Sequence, residues 1–250
     1  MPHPMSELCG AIIDTAEMKA VRAELPVKVY GTLPRESGAG KFRHLFECER
    51  SVLGRDFEEI QTEGTCVSKA IQRTAVGLWC VRISLHGMSE KFPGVPASEP
   101  IYGLGRHEIG RDKLGKGAGL VVSWGLKAVM QYGIILRGTY SGIDLRKPDD
   151  DLAVEWGRPG RGCPDELEPV ARLLPVKAAA PLRTVEEMRD ALYNGEYVFG
   201  GSDHIPGNGE TRDSKGFLRL TGRGGHATVV DGFNDVEEWF RYNNASWPAV

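Results

Sequence analysis

The sequence contains no apolar run approaching the roughly 18 residues that a membrane-spanning helix needs, so no span and no membrane partner are predicted. Its N-terminus, MPHPMSELCG, lacks the charged-then-apolar pattern of a secretory leader. A cytoplasmic, reducing setting is the expectation. An excess of one charge is missing too: 31 Lys and Arg face 34 Asp and Glu, a net charge of -3, which gives no basic face for nucleic acid. The five cysteines, Cys9, Cys48, Cys66, Cys80 and Cys163, include no Cys-x-x-Cys pair and no zinc-type Cys/His spacing. An odd, scattered set predicts reduced thiols, no disulfide framework and no metal. The string GAGK lacks the first glycine and the Ser/Thr of a phosphate loop, so no nucleotide cofactor is expected, and there is no internal repeat.

What the chain has in quantity is glycine, 32 of 250 residues, against a usual share of about 7%. Many stand in irregular stretches such as GRPGRG and GNGE, which predicts a loop-rich fold. Residues 1–55 read as a lead-in, with one helical stretch, AEMKAVRAEL. From Thr65 the pattern tightens: Val67, Ala70, Ile71, Thr74 and Ala75 recur at helical spacing behind Gly64-Thr65, predicting a largely buried helix with Cys66 in its first turn. A second helix is predicted over 123–132, where Trp124, Ala128, Val129 and Tyr132 share a face and Gly133 supplies the stop. Residues 141–183, with the acidic run Asp149-Asp150-Asp151, read as a loop-rich surface excursion. Thr184-Val-Glu-Glu187 forms a capping box before MRDALYN, closed by Gly195. EYVFGG, FLRL, HATVVDGF and EWFRYN then read as strands. Helices first and antiparallel strands last indicate an α+β chain: a helical half at about 56–140 and a sheet half at 184–250.

A thiol in the first turn of a helix sits beside unpaired backbone N–H groups and the positive end of the helix dipole, both of which favour thiolate. The backbone N–H of the same residue can face a developing oxyanion. A thiolate nucleophile needs an imidazole, and His226 lies in Gly-Gly-His-Ala, where Gly225 lets another backbone approach. Tyr-Asn-Asn-Ala-Ser-Trp follows, where the Asn244 amide can hold an imidazole under the indole of Trp247. Taken singly, each has a plainer reading: most free cysteines are small core residues, a strand-edge histidine is often only structural, and an Asn pair often marks a turn.

In their order, these segments resemble the papain-like cysteine peptidases: helix cysteine, then Gly-His-Ala, then Asn near Trp. GLVVSWGLKAVMQYGIILRGTY and RTVEEMRDALYNGEYVFGG are also similar to family segments. The resemblance covers roughly 55–247 and implies a papain-like domain over 56–250, two halves with a cleft between them. It implies Cys66 as nucleophile, His226 as general base and acid, Asn244 as the group that orients the imidazole, and Gln61 as an oxyanion-hole donor. Gly117 and Gly119 would line the cleft where an extended peptide pairs with the backbone.

The sequence departs from the family at several points. Gln61 stands one residue too near Cys66, Val67 replaces a tryptophan, Glu63 replaces a disulfide cysteine of secreted members, and Asn244 and Trp247 are one residue too far apart, which leaves Asn243 as a fallback. The chain ends at Val250 and carries no long inhibitory prosegment, so control is expected from expression, assembly or a partner. The implied activity is hydrolysis of peptide or protein substrates through an acyl-thioester on Cys66. One alternative is a catalytically weak or inactive assembly component of a larger particle, with a protein partner; another is a cell-wall amide hydrolase.

Overall fold

The computed structural model describes residues 9–24, 35–206 and 212–243. In chain order the elements are strand β1 (Ala11–Ile12), helix α1 (Thr15–Glu24), β2 (Phe42–His44), α2 (Phe46–Leu53), α3 (Cys66–Ser84) and α4 (Ser98–Leu104). A π-helical turn (Gly105–Ile109) continues α4, followed by β3 (Leu120–Val121), α5 (Val122–Gln131), β4 (Thr139–Tyr140), β5 (Ile143–Asp144) and α6 (Asp150–Trp156). A 3-10 turn (Asp165–Leu167), α7 (Glu168–Ala171), α8 (Val185–Tyr193), β6 (Val198–Ile205), β7 (Gly222–Asn234) and β8 (Trp239–Asn243) complete the order.

Helix α3 is the axis of the molecule. Its first two turns are buried on every side, including Ser68, Lys69, Gln72 and Arg73, because helices pack on one side and the sheet on the other. The run VGLWCVRI belongs to its last turns, with Cys80 fully buried. Helix α5 ends as its sequence predicts: Gly133 takes φ +98°, and its N–H and that of Tyr132 cap the carbonyls of Val129 and Ala128. Helix α8 begins on Thr184, whose Oγ1 accepts from Glu187 N at 3.1 Å, while Glu187 reaches back to Arg183 N at 2.6 Å.

Strand β7 organises the sheet. Its first part pairs antiparallel with β6, its second with β2 and with β8. Ala227, Val229, Asp231 and Phe233 are buried, and so are His226, Val230 and Gly232, so the strand is covered on both faces from Val229 to Phe233. The register against β8 shifts between Val230 and Gly232, and Asp231, which stands at that irregularity, is fully buried.

Three expectations change. FLRL is not a strand; it carries a single bridge, Arg212 to Leu218. Residues 42–44 and 46–53, read as lead-in, form a sheet strand and a helix beside α3. The stretch 141–183 is not merely a surface excursion, because Leu145, Trp156, Cys163, Leu167 and Ala171 form a second core with Leu104 and Ile135. The acidic run is likewise split: Asp149 caps α6 by accepting from Leu152 N at 2.8 Å, and Asp150 is buried.

Candidate active site

Cys66 opens α3 and is 2% exposed. Burial pushes its thiol up to about 11, against the opposite pull of hydrogen bonds from the backbone amides of Ala227, Gly10 and Val67. The Ala227 amide belongs to β7, directly after His226, which is itself buried and pairs with Ser202 of β6. One strand of the sheet half and the first turn of the helical half therefore meet at the sulfur.

The Gly10 amide comes from the chain's own N-terminal part. Residues 9–12 run through the cleft between the halves, and β1 pairs parallel with β3, Ala11 opposite Leu120 and Ile12 opposite Val121. Leu120 N donates to Gly10 O at 2.7 Å. The fit is too close for side chains. A Cβ on Gly10 would lie 2.0 Å from Gly64 O, one on Gly119 (φ +106°) 2.6 Å from Gly10 O, and one on Gly225 1.9 Å from Ala11 O. Glycines of both halves thus close on this segment, and that is why the thiol is dry.

Helix α1 anchors the segment. Asp14 Oδ1 accepts from Ala16 N and Glu17 N at 2.9 and 3.0 Å, Trp124 Nε1 donates to Glu17 Oε2 at 3.0 Å, and Lys113 Nζ lies 3.2 Å from Glu17 Oε1. Hydrogen bonds from Trp124 and Lys113 hold the Glu17 carboxyl below its ordinary range.

The other sequence-derived residues distribute unevenly. Gln61 is buried before α3, its Nε2 donating to Glu63 O at 2.6 Å, so its amide is engaged with its own loop. Gly119 and Gly225 touch the segment in the cleft; Gly117 is exposed on the approach loop and does not. Asn244, Trp247 and the fallback's neighbours beyond Asn243 lie outside the described residues. Among the described residues, no group of three or more His, Cys, Asp or Glu side chains is placed to hold a metal ion.

The charged residues that support the site escaped the sequence reading. Lys69, one turn past Cys66, is fully buried and lies 2.9 Å from Glu59 Oε2 and 3.1 Å from Asp150 Oδ1. Asp150 Oδ2 also accepts from Thr62 N at 2.7 Å, so one carboxylate ties the Gln61 loop to the cysteine helix. Arg137 grips Glu59 at 2.9 Å and Glu99 at 3.0 Å. The available signal was charge at positions where helical periodicity predicts burial: Lys69 and Arg73 stand inside an apolar helix.

Neither a family model nor a curated protein sequence matches the chain. Solved structures do. Xylellain, a cysteine protease from Xylella fastidiosa, superposes with a TM-score of 0.57 at 17% identity, over 98% of this chain and 87% of that one. ProCathepsin B S9 from Trypanosoma congolense gives 0.50 at 13% identity, over 96% of this chain and 75% of that one. The chain has the papain-like α+β fold.

Proposed function

We propose that the protein is a papain-like cysteine peptidase, with Cys66 as nucleophile and His226 as general base, closed by its own residues 9–12. The observation that carries this reading is the meeting at Cys66 of a helix N-terminus with the backbone next to His226, across a cleft lined by a peptide-pairing strand. His226 takes the thiol proton, the thiolate attacks an amide carbonyl, and the Cys66 N–H holds the oxyanion, joined by Gln61 when its amide turns from Glu63. The amine leaves with the proton from His226, and water then clears the acyl-thioester. Asn244 is the proposed orienting group for the imidazole.

The segment in the cleft is not posed as a substrate. The segment meets Cys66 through the Gly10 N–H, a hydrogen-bond donor and not the amide carbonyl that a thiolate attacks. Activity requires the segment to leave. The burial of Cys66 and the engaged Gln61 amide also support a second reading, a catalytically weak component of an assembly, and one experiment separates the two. Full-length Gly10→Val, in which the segment no longer fits, is treated with an epoxide-type thiol inhibitor and the adduct is mapped by mass spectrometry, alongside hydrolysis of a mixed set of fluorogenic peptide amides. A single adduct on Cys66, lost in Cys66→Ala and strongly slowed by His226→Ala, together with peptide turnover, is expected. Labelling that ignores His226→Ala or spreads over all five cysteines overturns the peptidase reading.

A further inference from the structure

We infer that Tyr102 and Arg106 are positioning residues that hold β3 as the peptide-pairing edge of the cleft and fix the register in which an extended chain docks there. The role in substrate docking rests on the peptidase reading; the role in shaping the edge does not. Both side chains are buried, Tyr102 at 1% and Arg106 at 4% exposure. They approach the glycine-rich loop from behind. Tyr102 Oη accepts from Gly119 N at 3.0 Å, and Arg106 Nη1 donates to Gly119 O. Arg106 Nη2 donates to Gly115 O and Nε to Gly157 O, both at 2.8 Å, and Nη1 also reaches Tyr102 Oη at 3.4 Å.

The consequence is a choice between amides. Both backbone groups of Gly119 are taken on the protein side, so the donor left facing the cleft is Leu120 N, the one that the chain's own Gly10 carbonyl occupies. A slip of one residue would exchange the faces of every side chain in a strand docked there. The four-residue spacing of Tyr102 and Arg106 spans the junction of α4 with the π-helical turn, where Gly110 N donates to Gly105 O at 3.0 Å. Single π turns mark functional sites more often than chance places them. Arg111 and Asp112, with φ of 51° and 58°, follow at once, a strained pair of left-handed residues where the chain swings toward the glycine loop.

Arg106 is also unusual as a buried cation. Among the described residues its guanidinium forms no ion pair; its partners are three backbone carbonyls and a phenol oxygen. A buried charge without a carboxylate is costly to keep, and the planar fork is the side chain suited to binding several carbonyls in fixed directions. Gly157 makes room for it, since a Cβ there would lie 2.6 Å from the Tyr102 ring and 2.7 Å from Arg106 Cδ.

The test uses the full chain and its own cysteines as probes. Tyr102→Phe keeps the ring and removes the acceptor for Gly119 N; Arg106→Lys keeps the charge and removes the fork. Iodoacetamide labelling of Cys66 and of the core residue Cys80 is followed in the same digest. Each variant is expected to label Cys66 about tenfold faster, the effect of one lost buried hydrogen bond, with Cys80 unchanged. In the Gly10→Val background, Tyr102→Phe is expected to raise KM by about tenfold, again one hydrogen bond, and to leave kcat within about twofold. If Cys66 and Cys80 accelerate together, or Cys66 does not accelerate, the pair is merely structural and the inference fails. If Gly10→Val turns over peptide and Tyr102→Phe leaves KM unchanged, the docking role fails. If Gly10→Val hydrolyses nothing while Tyr102→Phe unmasks Cys66 alone, the peptidase reading fails and the shaping of the edge stands.

Discussion

Access to Cys66 turns on Gly10. Any side chain there meets the Gly64 carbonyl 2.0 Å away, and a collision with backbone cannot be relieved by a rotamer change. Overpacking of this kind costs about 1–3 kcal/mol, so Gly10→Val is expected to speed iodoacetamide labelling of Cys66 at least about tenfold, with unchanged circular dichroism. The pH dependence follows from the same contact. Burial holds the closed thiol at about 11, and only thiolate reacts, so in the native chain the Cys66 rate should keep climbing between pH 7 and 10. In Gly10→Val the burial is relieved, while the amides of Ala227 and Val67 and the helix N-terminus remain. Its rate should therefore level off at a lower pH. A native rate that already plateaus below about pH 9 contradicts this account of the thiol.

At the scale of the element, α3 places two cations inside the protein and pairs each with buried carboxylates. Arg73 Nη2 lies 3.0 Å from Glu49 Oε2 and 3.3 Å from Asp231 Oδ2, and Tyr197 Oη donates to Glu49 Oε1 at 2.8 Å. These groups join α2, α3, β6's approach and β7 beneath the site. Burial lifts the Asp231 carboxyl to about 6 although Arg241 and Arg73 pull it down, a sign of how dry the interface is. Arg73→Met leaves Glu49 buried without its cation and Asp231 with Arg241 alone, 3.6 Å from its Oδ1. The expected loss is about 3–5 kcal/mol, read as a lower urea midpoint with the slope unchanged; a loss below about 1 kcal/mol would place these groups in water instead.

The whole molecule behaves as two halves and a strap. The halves carry Cys66 and His226, and the strap, β1 with α1, is laid across the opening and fastened to α5 through Glu17. Strap and core should therefore open separately. Glu17→Ala is expected to accelerate Cys66 labelling about fivefold, in keeping with one or two exposed hydrogen bonds, while Cys80 labelling and the urea midpoint stay as they are. Equal acceleration at both cysteines would mean that strap and core form one cooperative unit.

Much of this was legible in the chain itself, because helices and strands announce themselves locally. The apolar spacing behind Gly64-Thr65, the Gly133 stop and the Thr184 cap each act within a turn or two, and the α+β order followed from them, as did Cys66 at a helix start. What the sequence could not convey is which distant groups neutralise one another. Asp150 in an acidic run looks like surface until Lys69 and Thr62 are brought to it, and Arg106 looks like any helix arginine until Gly119 arrives. The passage of residues 9–12 through the cleft has no periodicity to betray it, since a segment gripped by its backbone between glycines leaves almost no pattern of side chains. Local periodicity determined the elements; long-range pairing and close backbone approach, which only tertiary structure supplies, decided that the thiol at the helix start is dry, and what covers it.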